Sequence, residues 1–204
     1  MHLKARLREL HNENQKIIGQ EIDSDGVEIS VHENPAPDHE EVQGRQFSNV
    51  EYNKLNSGQD AKSYSGIVYT LDHDHKNGYR PISEMNCYHY IFSIILGVSK
   101  PTYSDEQLKN ITDRNDKGFE FEGKHYTMYE GTQLQRKLER EIRKNKDIQI
   151  LARQTGDNTL INEAQQNITM LSTKYKQLSD VSGLSTKAKR MSVSGYHRVR
   201  TKAN

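Results

Sequence analysis

Hydrophobic positions recur along this chain at three spacings, and each predicts a different element. Leu3, Leu7 and Leu10 stand at helical steps, and Ile17 and Ile18 continue that face among polar residues. An amphipathic helix ending near Gly19 is expected, packed on something else. Past the turn Asp23-Ser24-Asp25-Gly26, Val27, Ile29 and Val31 alternate with Glu28 and Ser30, the period of a half-buried strand that closes at His32. Pro35 and Pro37 disfavour helix in the residues before them, so an extended loop follows and His39 opens a helical turn after Asp38. Ser48 is a cap for a short helix through Leu55, and Ile67–Leu71 reads as a strand before the polar loop Asp72-His73-Asp74-His75-Lys76-Asn77-Gly78. The apolar stretch around Tyr90 to Leu96 fits a buried strand or a short buried helix, which periodicity does not separate. Ser104 with Gln107 forms a capping box for a helix through Ile111, and Phe119 to Tyr126 reads as a hairpin turning at Gly123.

From about Met128 the spacing lengthens. Leu134, Leu138 and Ile142, then Ile148 and Leu151, describe a long amphipathic helix. After Thr155-Gly156-Asp157-Asn158, the series Ile161, Ala164, Ile168, Leu171, Tyr175 and Leu178 alternates three- and four-residue steps, as a helix-pairing seam does. The expected architecture is α+β: a small mixed or antiparallel sheet with short helices, then a long antiparallel helical hairpin. Four parts are expected: an N-terminal helix (1–22), an α+β domain (23–127), the hairpin (128–182) and a basic arm (183–204).

Composition limits the core. Of 204 residues, 32% are hydrophobic and 28% charged, so much of the surface is polar and part of the chain is expected to fold against a partner. The net charge of +1 hides an asymmetry: nothing after Asp180 is acidic, while Lys187, Lys189, Arg190, Arg198, Arg200 and Lys202 lie there. Without those six, the body has 23 basic residues against 28 acidic, about −5. A basic arm of this kind binds nucleic acid or an acidic protein surface, or is a solvated terminus. Cys87 is the single cysteine, the run Tyr90–Val98 is too short to span a bilayer, and the first residues lack an apolar signal core. A protein made in the cytoplasm, with no membrane partner, is expected.

The chemistry concentrates in two segments, His32-Glu-Asn-Pro-Ala-Pro-Asp-His39-Glu-Glu-Val-Gln43-Gly44 and Asn86-Cys87-Tyr88-His89. Two histidines seven apart and a Cys and His two apart converge on one site if the fold joins the segments. His32, His39, Cys87 and His89 would suit zinc, whose tetrahedral preference accepts any mix of imidazole and thiolate. The spacing is not that of a zinc finger. The alternative is structural, with Cys87 a small buried hydrophobe and the histidines bonded to backbone. In Asp72-His73-Asp74-His75 consecutive side chains would diverge on a strand, so a polar surface loop is expected.

The same two segments resemble the phage minor capsid protein 2 family, in which a similar His-(x)6-His-(x)3-Gln-Gly stretch precedes an Asn-Cys-x-His stretch. The likeness continues through Gly97-Val98-Ser99-Lys100-Pro101 and the run from Tyr126-Thr127-Met128-Tyr129-Glu130 to Lys146, and covers about Val27 to Leu184. It corresponds to the C-terminal part of the longer family chain. Ala36 and Tyr88 stand where similar members carry Arg. The resemblance implies a non-enzymatic minor component of a tailed-phage head. Such a protein works near the portal in capsid assembly or genome packaging, with portal or capsid proteins as partners and nucleic acid met through the arm. It would reside in the virion, and in the host cytoplasm during assembly. The rival reading is a toxin-like endoribonuclease: His32 and His39 as acid and base in metal-independent RNA cleavage, with Arg45 or Arg80 stabilising the phosphorane. The two lost cations weigh against phosphate chemistry.

Overall fold

The alternation at residues 27–31 becomes the central strand of a three-stranded antiparallel sheet. A computed structural model describes residues 3–56, 82 and 87–197, which fall in two compact units, Met1–Asn115 and Asp116–Asn204. The fold is α+β, with small antiparallel sheets and a long helical hairpin towards the C-terminal end. The expected strand Ile67–Leu71, the loop Asp72–Gly78, Arg80 and Asn86 lie outside the described residues.

In the first unit α1 (Leu3–Glu21) precedes β1 (Gly26–Ile29), α2 (Pro37–Glu40), β2 (Gln46–Ser48), α3 (Asn49–Asn56), β3 (Ile91–Ile94) and α4 (Asp105–Lys117). The sheet order is β2-β1-β3, with Val27 opposite Phe47 and Ser93, and Ile29 opposite Ile91. Val27, Ile29, Val42, Phe47, Tyr52, Leu55, Ile82, Cys87 and Ile91 form its core. The stretch left open as strand or helix is therefore strand. β1 is buried on both faces rather than one. Glu28 accepts from Gln46 Nε2 at 3.0 Å and from Thr102 N at 3.2 Å, so the loop around residues 99–102 covers what alternation assigned to solvent. The expected Ser48 cap before α3 is a capping box, with Glu51, and the expected Ser104/Gln107 capping box forms before α4. The second helix runs to Lys117, past Ile111, and stops at Gly118.

α1 turns its polar side to the sheet. β3 is an edge strand whose outward backbone groups need partners that apolar side chains cannot supply. Asn12 Oδ1 accepts from Ile91 N (3.0 Å) and Gln15 Oε1 from Ser93 N (3.0 Å), while His11 Nε2 donates to Ile91 O (3.1 Å). Arg8 is buried over the Tyr88 ring. Leu7 (53% exposed), Leu10, Ile17 (55%) and Ile18 are left on the outer side. The apolar stripe is real, but within this unit it is not the packing face.

In the second unit β4 (Phe119–Phe121) and β5 (Lys124–Tyr126) form a hairpin, followed by α5 (Met128–Thr155) and α6 (Asn158–Ser182). Glu122 (φ 51°) and Gly123 (φ 75°) make the two-residue turn, the geometry that matches strand twist. A Thr127/Glu130 capping box opens α5, left-handed Gly156 ends it, and Asp157 caps α6. Phe119, Phe121, Leu138, Ile142, Tyr175 and Leu178 form this unit's core.

Beyond Ile142 the α5 seam passes to Asn145, Gln149 and Ala152, while Leu151 is exposed. Buried amides replace aliphatic contacts there. Gln149 donates to Ile161 O and Gln165 Oε1 and accepts from Arg153, and Asn167 donates to Asn145. The expected basic arm begins by folding back: the 3-10 turn Ala188–Met191 packs on α5, where Lys146 donates to Met191 O and Arg143 to Arg190 O. Arg190 lies 3.7 Å from the buried Glu139, which also accepts from Tyr175 OH at 3.2 Å. Among the described residues no helix is long and apolar enough to cross a membrane.

Candidate functional site

Register builds the site. β1 and β3 are antiparallel with Ile29 opposite Ile91, and the pairing continues as Ser30 N donates to Tyr90 O at 2.8 Å. Extending that ladder sets the chain at Cys87–His89 beside the chain leaving β1 at His32. Because side chains alternate, Cys87 and His89 share the core-facing side with Ile91. Across from them the connection from β1 to β2 folds inward. Pro37 occupies the first helical position of α2, a single turn that carries His39. Gly44 then returns the chain to β2: its φ is +68°, and a Cβ would stand 2.4 Å from Leu108 Cδ2 and 2.8 Å from Val31 Cγ2. Only glycine combines that backbone with that closeness.

The two signature segments therefore meet. Cys87 Sγ lies 3.5 Å from His89 Nδ1 and 3.8 Å from His39 Nδ1, and the two rings meet edge to face at 5.1 Å. Their donor atoms all lie within 4.8 Å of one another. Cys87 is 6% exposed, His39 2% and His89 3%. Gln43, also buried, receives His32 N at 2.8 Å on Oε1, and the same oxygen faces His89 Nε2 at 3.2 Å. Asp38 Oδ2, fully buried, lies 3.7 Å from His39 Nε2. Burial pushes the Cys87 thiol up, but hydrogen bonding with His39 and then His89, and the charge each ring carries when protonated, bring it down to about 5.

Of the four residues read from the sequence as metal ligands, the fold joins His39, Cys87 and His89. His32 stays at the margin: its Nδ1 accepts from Asn34 N at 3.1 Å and its ring centroid is 6.1 Å from that of His89. His32 and His39 do not form an exposed acid–base pair, since His39 is buried against Cys87. Arg45 is exposed on the surface, as are Lys187 and Lys189. Arg198, Arg200 and Lys202, like Arg80, lie outside the described residues. Two participants carried no role in the sequence reading, Gln43 and Asp38. Gln43 stood inside the signature, and a polar side chain held between two histidine-bearing segments was the available signal. Buried thiol and imidazole donors of this kind suit a metal ion or a structural hydrogen-bonded cluster.

The family model described as phage minor capsid protein 2 matches residues 2–180. No curated protein and no solved structure matches the chain.

Proposed function

The chain belongs to the phage minor capsid protein 2 family, and from that premise we propose that it is a minor structural protein of a tailed-phage head, placed beside the portal and acting in capsid assembly or genome packaging. A structural role in the virion is what the family carries. That coarser role is supported by the extent of the match, which runs from α1 through nearly the whole of α6.

What the fold offers such a role is binding surface. The inner side of α1 is committed to β3, and its outer side presents Leu7, Leu10, Ile17 and Ile18. An amphipathic helix laid into a groove of a partner is a recurring mode of association, and an apolar stripe kept at the surface favours it. We assign that stripe to the portal subunit. Catalysis has no part in this reading, because a group that protonates or attacks a substrate must touch it, and the clustered histidines and thiol are buried.

Cross-linking of assembled proheads through lysines, followed by mass spectrometry, tests the placement. Lys16 on α1 is exposed and is expected to link to the portal protein. Links confined to the shell protein far from the portal vertex would contradict it.

A further inference from the structure

We propose that His39, Cys87 and His89 bind one zinc ion through Nδ1, Sγ and Nδ1, with a fourth position taken by water, and that the ion clips the β1–β2 connection to the segment leading into β3. The inference stands on the geometry of the cluster and is independent of the head-protein reading.

The protons of the cluster can be placed from its partners. Gln43 Oε1 is identified as the amide oxygen because the backbone N–H of His32 donates to it. His89 Nε2 faces that acceptor and therefore carries its proton there, which leaves Nδ1 as a lone pair aimed at Sγ. His39 Nε2 is set towards the Asp38 carboxylate, which favours the same tautomer and turns a second lone pair on the sulfur. Two ring lone pairs and a thiol then share a single proton inside the core. A thiolate with a divalent cation satisfies all three donors at once, the thiol proton leaving to solvent.

Distances give a second, separate argument. Zinc–sulfur and zinc–nitrogen bonds of about 2.3 and 2.0–2.1 Å, meeting at a tetrahedral angle, place Sγ about 3.6 Å from each nitrogen. The two observed separations are 3.5 and 3.8 Å. The outer nitrogen of His89 also has the kind of partner that orients a metal-bound imidazole, an amide oxygen at 3.2 Å, while that of His39 lies at ion-pair distance, 3.7 Å, from a carboxylate. Two nitrogens and a soft thiolate favour zinc over magnesium or calcium, which take oxygen donors. Cys87 and His39 are 48 residues apart in sequence, so the ion would close a long loop.

The test uses the purified full chain. Elemental analysis after expression in zinc-containing medium is expected to give one zinc per chain. Replacement by cobalt is expected to give the intense visible bands of a four-coordinate ion with a thiolate-to-cobalt band in the near ultraviolet. Cys87→Ser should abolish the thiolate band, and His89→Ala should lower zinc content at least tenfold. His32→Ala should keep both. A wild-type chain that is folded by circular dichroism yet takes up neither zinc nor cobalt at equimolar metal would overturn the proposal. So would stoichiometric zinc retained in Cys87→Ser, or zinc lost in His32→Ala. The cobalt spectrum of the wild type reads the ligands directly, so the outcome stands even if a variant fails to fold.

Discussion

The amide oxygen of Gln43 holds two segments together at one point, accepting the backbone N–H of His32 and facing the ring nitrogen of His89. Both donors would lose their protein partner if the side chain were shortened, and a buried donor left unpaired costs about 1–3 kcal/mol. Gln43→Ala is therefore expected to lower unfolding stability by about 2–3 kcal/mol, measured by denaturant titration. A loss under about 0.5 kcal/mol, the size of an ordinary surface substitution, would contradict this role. The motif was legible in the sequence as a set of residue types, because His, Cys and the Gln-Gly pair stand out by chemistry. Which of its members converge was not. That depended on strand register, which sends Cys87 and His89 to the core side, and on the turn of α2, which brings in His39 and leaves His32 at the rim.

At the scale of the element, α1 separates two properties that an apolar period usually joins. The stripe Leu3, Leu7, Leu10, Ile17 and Ile18 made the helix legible, yet the side that binds the sheet is the one bearing Asn12 and Gln15. An edge strand selects hydrogen-bonding side chains, and no hydrophobic pattern announces that. Asn12→Ala is accordingly expected to cost about 1–2 kcal/mol in denaturant unfolding, and the double change Leu10→Ser, Ile17→Ser less than about 0.5 kcal/mol. The reverse order would mean that the apolar side is the internal packing face.

The cap of α3 gives a pH-dependent counterpart. The Ser48 hydroxyl and backbone N–H hold the Glu51 carboxyl below its ordinary 4.5. A folded-state value below the unfolded one contributes stability that is present above pH 4.5 and is lost as pH falls through the folded value. Amide exchange at Ser48 should accelerate, relative to the amides of α3, across that acid window. Glu51→Gln, which keeps the box and removes the titration, should abolish the pH dependence. An unchanged profile in that variant would refute the cap's part in it.

Over the whole molecule, the helical hairpin was the most legible part, since three- and four-residue steps persist through α6 and the caps stand at Asp157 and Gly183. The polar half of the α5 seam escaped detection because Asn145 and Gln149 look like surface residues until their partners on α6 are known. The folding back of the arm escaped for a related reason: Arg190 is drawn to Glu139, whose burial within α5 no local pattern announces. Among the apolar surfaces left outward is α1's stripe, and on the proposed reading this chain is built into a phage head through it. Quantitative mass spectrometry of purified particles, assembled with the chain supplied either as wild type or as Leu10→Glu, Ile17→Glu, tests that most directly. Wild-type chain is expected at low, constant copy number per particle, with at least a tenfold drop for the folded variant. Particles that lack the wild-type chain, or that take up the variant equally well, would contradict it.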